Sequence, residues 1–478
     1  MFFARILPFL LLLSLAGCAG MSQPVRPDQL EFPPLVFKAP DVDRQHLDNG
    51  LSLYLQEDNE LPLVEITALV GAGSIGTPGE KAGMGGLFAR ALEAGGAGDR
   101  GPAAFEALLE RMAAKLSVSS GTYTTTVHLS LRAEDLEIGL RILSDLLRRP
   151  HFDQGRLEVA RRQLLEGIRR RNDNPSSVAA RLLRENVYGE HPLGTTPSEE
   201  SVGRIQRRDL LAFHDEFFVP NNLKLAITGD FEKAKLLSDL KEVFGGWERA
   251  EFTPPVAPPV DAEPQGQIIV APKEVPQATI VLGHLGIDKD DPDLFPVRVM
   301  NYILGGGGFN SRMMREVRSN RGLAYSVYSR YQVGRRLPGL FVAGSETRTA
   351  TTVEVVELMR GLMEQMRRQP VSEEELALAR ESLVNSFVFA FTDTHSVVAR
   401  KMRLDHFDYP ADYLQTYRQR VAAVTAEDVL RAAREHLHPE RLKIVLVGAT
   451  DEFKGDLDSF DLPVDEVSLK GGSAGSQR

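Results

Sequence analysis

Residues able to do chemistry are sparse in this 478-residue chain, and few stand at useful spacing. Gly-x-Ser-x-Gly occurs once, at Gly471 to Gly475 in the Gly/Ser-rich end, without the strand-to-helix setting that a strained serine elbow needs. Neither H-E-x-x-H nor H-x-x-E-H occurs, so no helix carries two histidines on one face for zinc. The closest histidine pair, His436 and His438 in EHLHPE, ends a helical stretch and reads as surface or packing. His191 sits in a turn; His46, His128, His151, His214, His284, His395 and His406 are scattered and suggest no constellation. Four consecutive glycines, Gly305, Gly306, Gly307 and Gly308, lack the Gly-Lys-Ser/Thr of a phosphate loop. All four read instead as a tightly turning or flexible backbone loop that can approach and bind a substrate. A basic helical segment follows, then Arg321-Gly322-Leu323-Ala324-Tyr325. Within it Arg318 and Tyr325 stand seven residues apart, a guanidinium and a phenol that both donate hydrogen bonds.

Holding such a pair takes a scaffold, and the chain spells one twice. Leu51 to Leu55 and Val64 to Val70 alternate like paired strands, as do Gln267 to Ala271 and Ala278 to Leu282. Thr124 to Leu131 alternates strongly, whereas Thr351 to Arg367 and Glu373 to Phe389 carry helical spacing. Asp209 to Gly229 (DLLAFHDEFFVPNNLKLAITG) and Asp428 to Gly448 (DVLRAAREHLHPERLKIVLVG) lie 219 residues apart without a gap and share seven identities. Each copy reads as a helix stopped by Pro and a strand closed by Gly. A Pro-rich run from Thr253 to Pro259 separates the halves. The expected fold class is α+β, with two homologous lobes of mixed sheet plus helices. The lobes are placed at 41–250 and 266–455, joined by a linker at 251–265 and followed by a flexible tail at 456–478.

The segment Leu304 to Tyr328, LGGGGFNSRMMREVRSNRGLAYSVY, resembles the second-half signature of the zinc peptidase superfamily of pitrilysin, insulinase and mitochondrial processing peptidase. The resemblance extends over roughly Val42 to Phe453 and implies two halves closing like a clam around a chamber. It implies that Arg318 and Tyr325 reach toward an active site, the arginine holding substrate backbone and the tyrosine stabilising an oxyanion. Active members carry H-x-x-E-H on a first-half helix that follows a glycine-containing turn. Gly76 and Gly83-Met84 fit that lead-in, with Gly85 in place of Ala. The motif then falls on Gly86, Ala89 and Arg90. Glycine and alanine offer no lone pair, and an arginine repels a cation. The distant acidic ligand falls at Glu166 or Gly167, and one carboxylate cannot hold zinc.

No metal or other cofactor is therefore expected in this chain. The profile resembles the non-zinc partner of two-chain family members, which implies a zinc-motif-bearing homologous subunit, with zinc there and unfolded peptides as substrate. Family members take extended peptides by adding a strand to a sheet edge; Leu116 to Leu131 is the candidate edge. The alternative is a non-catalytic peptide-binding or assembly module, like the core subunits of the cytochrome bc1 complex.

The remaining signals concern location. The formal net charge is −10, which argues against nucleic acid as a partner. Arg161-Arg162 and Arg169-Arg170-Arg171 read as a solvated helix face. The single cysteine, Cys18, excludes an intrachain disulfide. It follows a positive start, a short apolar run and Leu15-Ala16-Gly17. This reads as a signal peptide over 1–17, and its end looks like the lipobox of a bacterial lipoprotein, with Cys18 the lipidated residue. A Pro-rich tether would continue to Pro40, reaching at most ~70 Å at ~3.3 Å per residue. Ala19, rather than Asp, follows the cysteine; by resemblance to the sorting rules of enterobacterial lipoproteins this implies the periplasmic face of the outer membrane.

Overall fold

The structure is a computed structural model and describes residues 42–261, 265–389, 391 and 393–469. The expected signal peptide, Cys18, the tether to Pro40 and the glycine-rich end from Gly471 lie outside the described residues.

The first half runs β1 (Asp43–His46), β2 (Ser52–Glu57), β3 (Leu63–Val70), α1 (Met84–Ala94), α2 (Pro102–Arg111), β4 (Lys115–Ser120) and β5 (Thr125–Arg132). It continues with α3 (Leu136–Arg148), α4 (Gln154–Arg169), α5 (Pro175–Tyr188), α6 (Glu199–Arg204), α7 (Arg207–Phe217), β6 (Leu223–Gly229) and α8 (Lys233–Phe244). The second half runs β7 (Gln267–Pro272), β8 (Gln277–Leu285), α9 (Leu294–Asn301), β9 (Ala324–Gln332) and β10 (Leu340–Arg348). Then follow α10 (Thr352–Arg368), α11 (Glu373–Val388), α12 (Thr394–His406), α13 (Tyr413–Ala423), α14 (Ala426–His436), β11 (Lys443–Gly448) and β12 (Val464–Glu466). Helices α4, α5 and α7 start 219 residues before α11, α12 and α14, so the offset read from one repeat holds across most of each half.

Each half builds a six-stranded sheet, in the orders β1-β2-β6-β3-β5-β4 and β12-β7-β11-β8-β10-β9. The strands expected to pair do not touch. β6 lies between β2 and β3, parallel to β2 from Ser52↔Lys224 and antiparallel to β3 from Val64↔Gly229. β11 separates β7 from β8 in the same way. The physical reason is burial: β11 is buried along its whole length, and a strand apolar on both faces belongs in the middle of a covered sheet. Two further expectations are corrected. Leu116 to Leu131 is not one strand, because Gly121 donates to Thr124 O at 2.9 Å and turns the chain, leaving β4 alone at the sheet edge. The stretch from 456 is not a free tail, because Val464–Glu466 pairs in parallel with Ile268–Val270.

The halves are locked by an exchange of helices. One face of the first sheet packs on the half's own helices, with Phe88 of α1 meeting Phe152, Phe213 and Phe218 at ring distances of 5.2, 4.9 and 5.3 Å. On a second face, Val398, Ala399 and Met402 of α12 pack on Tyr54, Leu69 and Ala226. Reciprocally, Val178, Leu182 and Leu183 of α5 pack on Val281, Val342 and Val445 of the second sheet. Polar seams accompany the exchange. His395 of α12 bonds Thr67 (2.7 Å) and Thr228 (2.9 Å) of the first sheet. Ser176 of α5, 219 residues earlier, donates to Glu346 of the second sheet at 2.6 Å. Among the described residues, no helix is long and apolar enough to cross a membrane.

Candidate functional site

Helix α1 keeps the backbone of a metal helix without its ligands. Gly83 caps it at a left-handed φ of 97°, and Leu87, Phe88, Ala91 and Leu92 anchor it in the core. A Cβ on Gly85 would stand 2.9 Å from Ser120 Oγ, so α1 lies tight against β4, whereas a Cβ on Gly86 would meet nothing within 4 Å. Ala89 is buried. Arg90 is exposed and its Nη1 donates to Gln163 of α4 at 3.2 Å. The two helices thus meet one turn before Glu166, but Glu166 is turned to Arg170 (2.6 Å), and Gly167 has no side chain to offer. A glycine, an alanine, a guanidinium and a committed carboxylate cannot hold zinc. Glu93, one turn after Arg90, accepts from the Val118 N–H at 2.8 Å. This carboxylate occupies one outward donor of the edge strand, where an added peptide strand would bond.

The structure assembles two titratable clusters whose members are far apart in sequence. Asp291, Asp293 and His436 bring potential ligand atoms within 4.8 Å of one another. The buried Asp293 already accepts from Arg431 (2.5 Å) and pairs with His436 (3.1 Å), so the group is an ion-pair network carrying its own cation. His128 and His395 sit 5.5 Å apart beside Thr67, with Glu65 2.8 Å from His128. Burial pushes His395 down to about 4. Sequence spacing carried no sign of either cluster: the first needs the start of α9 and the end of α14 to meet across 143 residues, and the second needs α12 to cross to the first sheet.

The second-half segment is built more fully. The expectation of one glycine loop from 305 to 308 is corrected. Gly305 and Gly306 close a wide helical turn, Tyr302–Gly306, that continues α9, and Gly307 ends it with its N–H on Tyr302 O at 2.8 Å. The reason is close packing against the chain's own atoms. A Cβ on Gly305 would stand 2.5 Å from the Ser329 backbone N of β9. One on Gly306 would stand 2.6 Å from Asn301 Nδ2, and one on Gly307 2.7 Å from the Tyr302 ring. Gly308 differs: it takes φ 58°, has nothing within 4 Å of a Cβ, and opens a short turn to Asn310. Of the four, Gly308 is therefore the one whose backbone turns as a loop. Ser311, fully buried, donates to Gly308 O at 2.7 Å and fastens that turn. Arg312 donates through Nε (2.8 Å) and Nη2 (2.7 Å) to the two oxygens of Glu375 on α11. This bidentate pair holds the Glu375 carboxyl down at about 2 and ties the segment to the body of the half.

A second wide turn, Met314–Asn320, carries Arg318. Gly322 then reverses the chain at φ 63°, with its N–H on Arg318 O (3.0 Å) and the Leu323 N–H on Val317 O (2.9 Å). That reversal starts β9 alongside the turn and brings residues 318 and 325 together. The Arg318 guanidinium stands 4.6 Å from the Tyr325 ring centroid and 4.6 Å from that of Phe309. Tyr325 is 82% exposed and Phe309 67%. Among the described residues, neither Arg318 nor Tyr325 hydrogen-bonds or ion-pairs with α1. Sequence reading singled out the pair but not Phe309, which is recognisable only once the turn from Gly308 is in place.

Comparison with known proteins fits this geometry. A model described as insulinase (peptidase family M16) matches residues 53–199, and one described as the peptidase M16 inactive domain matches 204–383, together more than half of the chain. The chain belongs to the peptidase M16, or insulinase, family. It is 25% identical over 398 residues to a protein of Helicobacter pylori named "Non-peptidase homolog YmxG", covering 82% of this chain and 90% of that protein. It is 22% identical over 361 residues to "Uncharacterized zinc protease YmxG" of Bacillus subtilis, covering 75% of this chain and 87% of that one. A crystal structure of the peptidase M16 inactive domain from Pseudomonas fluorescens matches with a TM-score of 0.76 and 25% identity, over 86% of this chain and 98% of that chain. Relatives thus carry both peptidase and non-peptidase names. The residues at 86, 89 and 90 place this M16 protein among those without a zinc site of their own.

Proposed function

We propose that this M16 protein is the non-zinc subunit of a heterodimeric peptidase, lending Arg318 and Tyr325 to a homologous subunit that carries zinc. The observation that carries the reading is an asymmetry: the pair is held together on a fixed turn and exposed, while the metal helix of the first half is intact in backbone and empty of ligands. In peptide hydrolysis, charge develops on the carbonyl oxygen, and a positioned hydroxyl donor counts most where water is excluded. The Tyr325 hydroxyl would supply that donor and Arg318 would bind the peptide. Zinc, held by the partner, would supply the activated water.

The test mixes this chain with a co-encoded homologue bearing H-x-x-E-H and follows a quenched fluorescent peptide. Tyr325→Phe is expected to lower kcat by about 10²–10³, the usual cost of one oxyanion donor. Equal activity of the two mixtures would defeat the reading.

We further propose that the chain works at the periplasmic face of the outer membrane, tethered through lipid on Cys18, as the residues preceding it suggest. Cys18→Ala should move the protein from the membrane fraction to the soluble periplasm; unchanged fractionation would count against an anchor there.

A further inference from the structure

Four arginines, at 312, 315, 318 and 321, share the segment between the glycine turn and β9. Three are committed to acids: Arg312 and Arg315 to Glu375, and Arg321 to Glu354. Arg318 alone of the four has no carboxylate or carbonyl partner among the described residues, and two aromatic rings hold it instead. This difference has a chemical consequence. The rings offer the guanidinium a π face and no lone-pair acceptor, so its N–H donors find no carboxylate or carbonyl there. A free arginine loses rotamer freedom when it binds; one already held against two rings loses less.

Phe309 is the unexplained member of this group. It is 67% exposed, so it gains little from burial. Its placement is nonetheless closely built, by the left-handed Gly308 and the buried Ser311 hydroxyl on Gly308 O. We infer that Phe309 is a positioning residue that fixes the Arg318 guanidinium for the peptide, acting through Arg318 without supplying a catalytic group. The inference rests on the heterodimer reading for its functional half and on the structure of this chain alone for its positioning half.

Two measurements test the two halves. On the full chain alone, the rate at which phenylglyoxal labels Arg318, read by mass spectrometry, reports shielding by the rings. Phe309→Ala should raise it several-fold, and Phe309→Trp should restore it. In the mixture with the zinc-bearing homologue, Phe309→Ala should raise KM about three- to fivefold, the equivalent of one partly exposed cation–π contact, with kcat changed less than twofold. Phe309→Trp should restore KM, and Phe309→Ala should add nothing to an Arg318→Ala background. An unchanged labelling rate in Phe309→Ala overturns the inference. So does an unchanged KM in Phe309→Ala when Arg318→Ala raises it, and in that case the heterodimer reading stands. If Arg318→Ala and Tyr325→Phe both leave the mixture unaffected, the heterodimer reading falls, and the labelling rates alone decide whether Phe309 fixes Arg318.

Discussion

Helix α1 and the segment from Gly305 to Tyr325 are the two places where chemistry would be expected, and they have diverged in opposite ways. In α1 the scaffold survives, with Phe88 in an aromatic cluster and Gly85 against β4, while positions 86, 89 and 90 carry nothing that binds a metal. In the second segment the outward residues survive too, and a set of contacts aims them: a buried serine, a bidentate ion pair and two left-handed glycines. The lesson is that a family fold is maintained by its inward faces. What a member does is decided by a few outward residues, which can be lost without disturbing the core.

The contrast is broken most forcefully at the Arg312–Glu375 pair. Arg312 is 7% exposed, and its removal takes both guanidinium hydrogen bonds from the half-buried Glu375 carboxylate, leaving it Arg315 and the Ser372 N–H. Arg312→Met should cost roughly 1.5–3 kcal/mol, the range for losing hydrogen bonds to a charged group, read as a fall in the urea midpoint. The pH dependence follows from the sign of the shift. The pair holds the Glu375 carboxyl at about 2, below its unfolded value. Its stabilisation is therefore complete above about pH 4.5 and drains away as pH falls toward 2. Arg312→Met should flatten that acid limb. A loss below about 1 kcal/mol would mean that the segment does not depend on this tie.

How far these features were legible in the sequence depends on how local they are. The β3 and β5 runs and the α10 and α11 helices could be read within a few residues, because periodicity of 2 or 3.6 is written in consecutive side chains. The insertion of β6 between β2 and β3 could not, since nothing in LKLAITG states which neighbours it takes. The exchange of α5 and α12 was equally hidden. An amphipathic helix shows that it covers something, but not that it covers the other half's sheet. At the site, the absences at Gly86, Ala89 and Arg90 could be read as residue types. The glycine run misled, because Gly305, Gly306 and Gly307 are small to admit Ser329, Asn301 and Tyr302, and a run of glycines does not say which of its members turns. The aromatic contacts of Arg318 needed Gly308 and Gly322 to bring Phe309 and Tyr325 against one guanidinium.

Substitutions at the empty helix should have far smaller effects than either Arg312→Met or the Tyr325→Phe loss of activity, and they sharpen the comparison by their sign. Gly86 lies in the first turn of α1, exposed, with open space where a Cβ would go. If no ligand or partner uses that position, Gly86→Ala removes only the excess backbone freedom of glycine. Its expected effect is a gain of roughly 0.5 kcal/mol in urea unfolding. Gly85→Ala, one residue away, should go the other way, because its Cβ meets Ser120 Oγ at 2.9 Å and that hydroxyl already accepts from Thr125. Opposite signs at adjacent glycines would show that α1 is held by its inner face and is idle on its outer one. Destabilisation by both would show instead that the open space beside Gly86 is occupied in solution, and that the first half retains a use its side chains do not reveal.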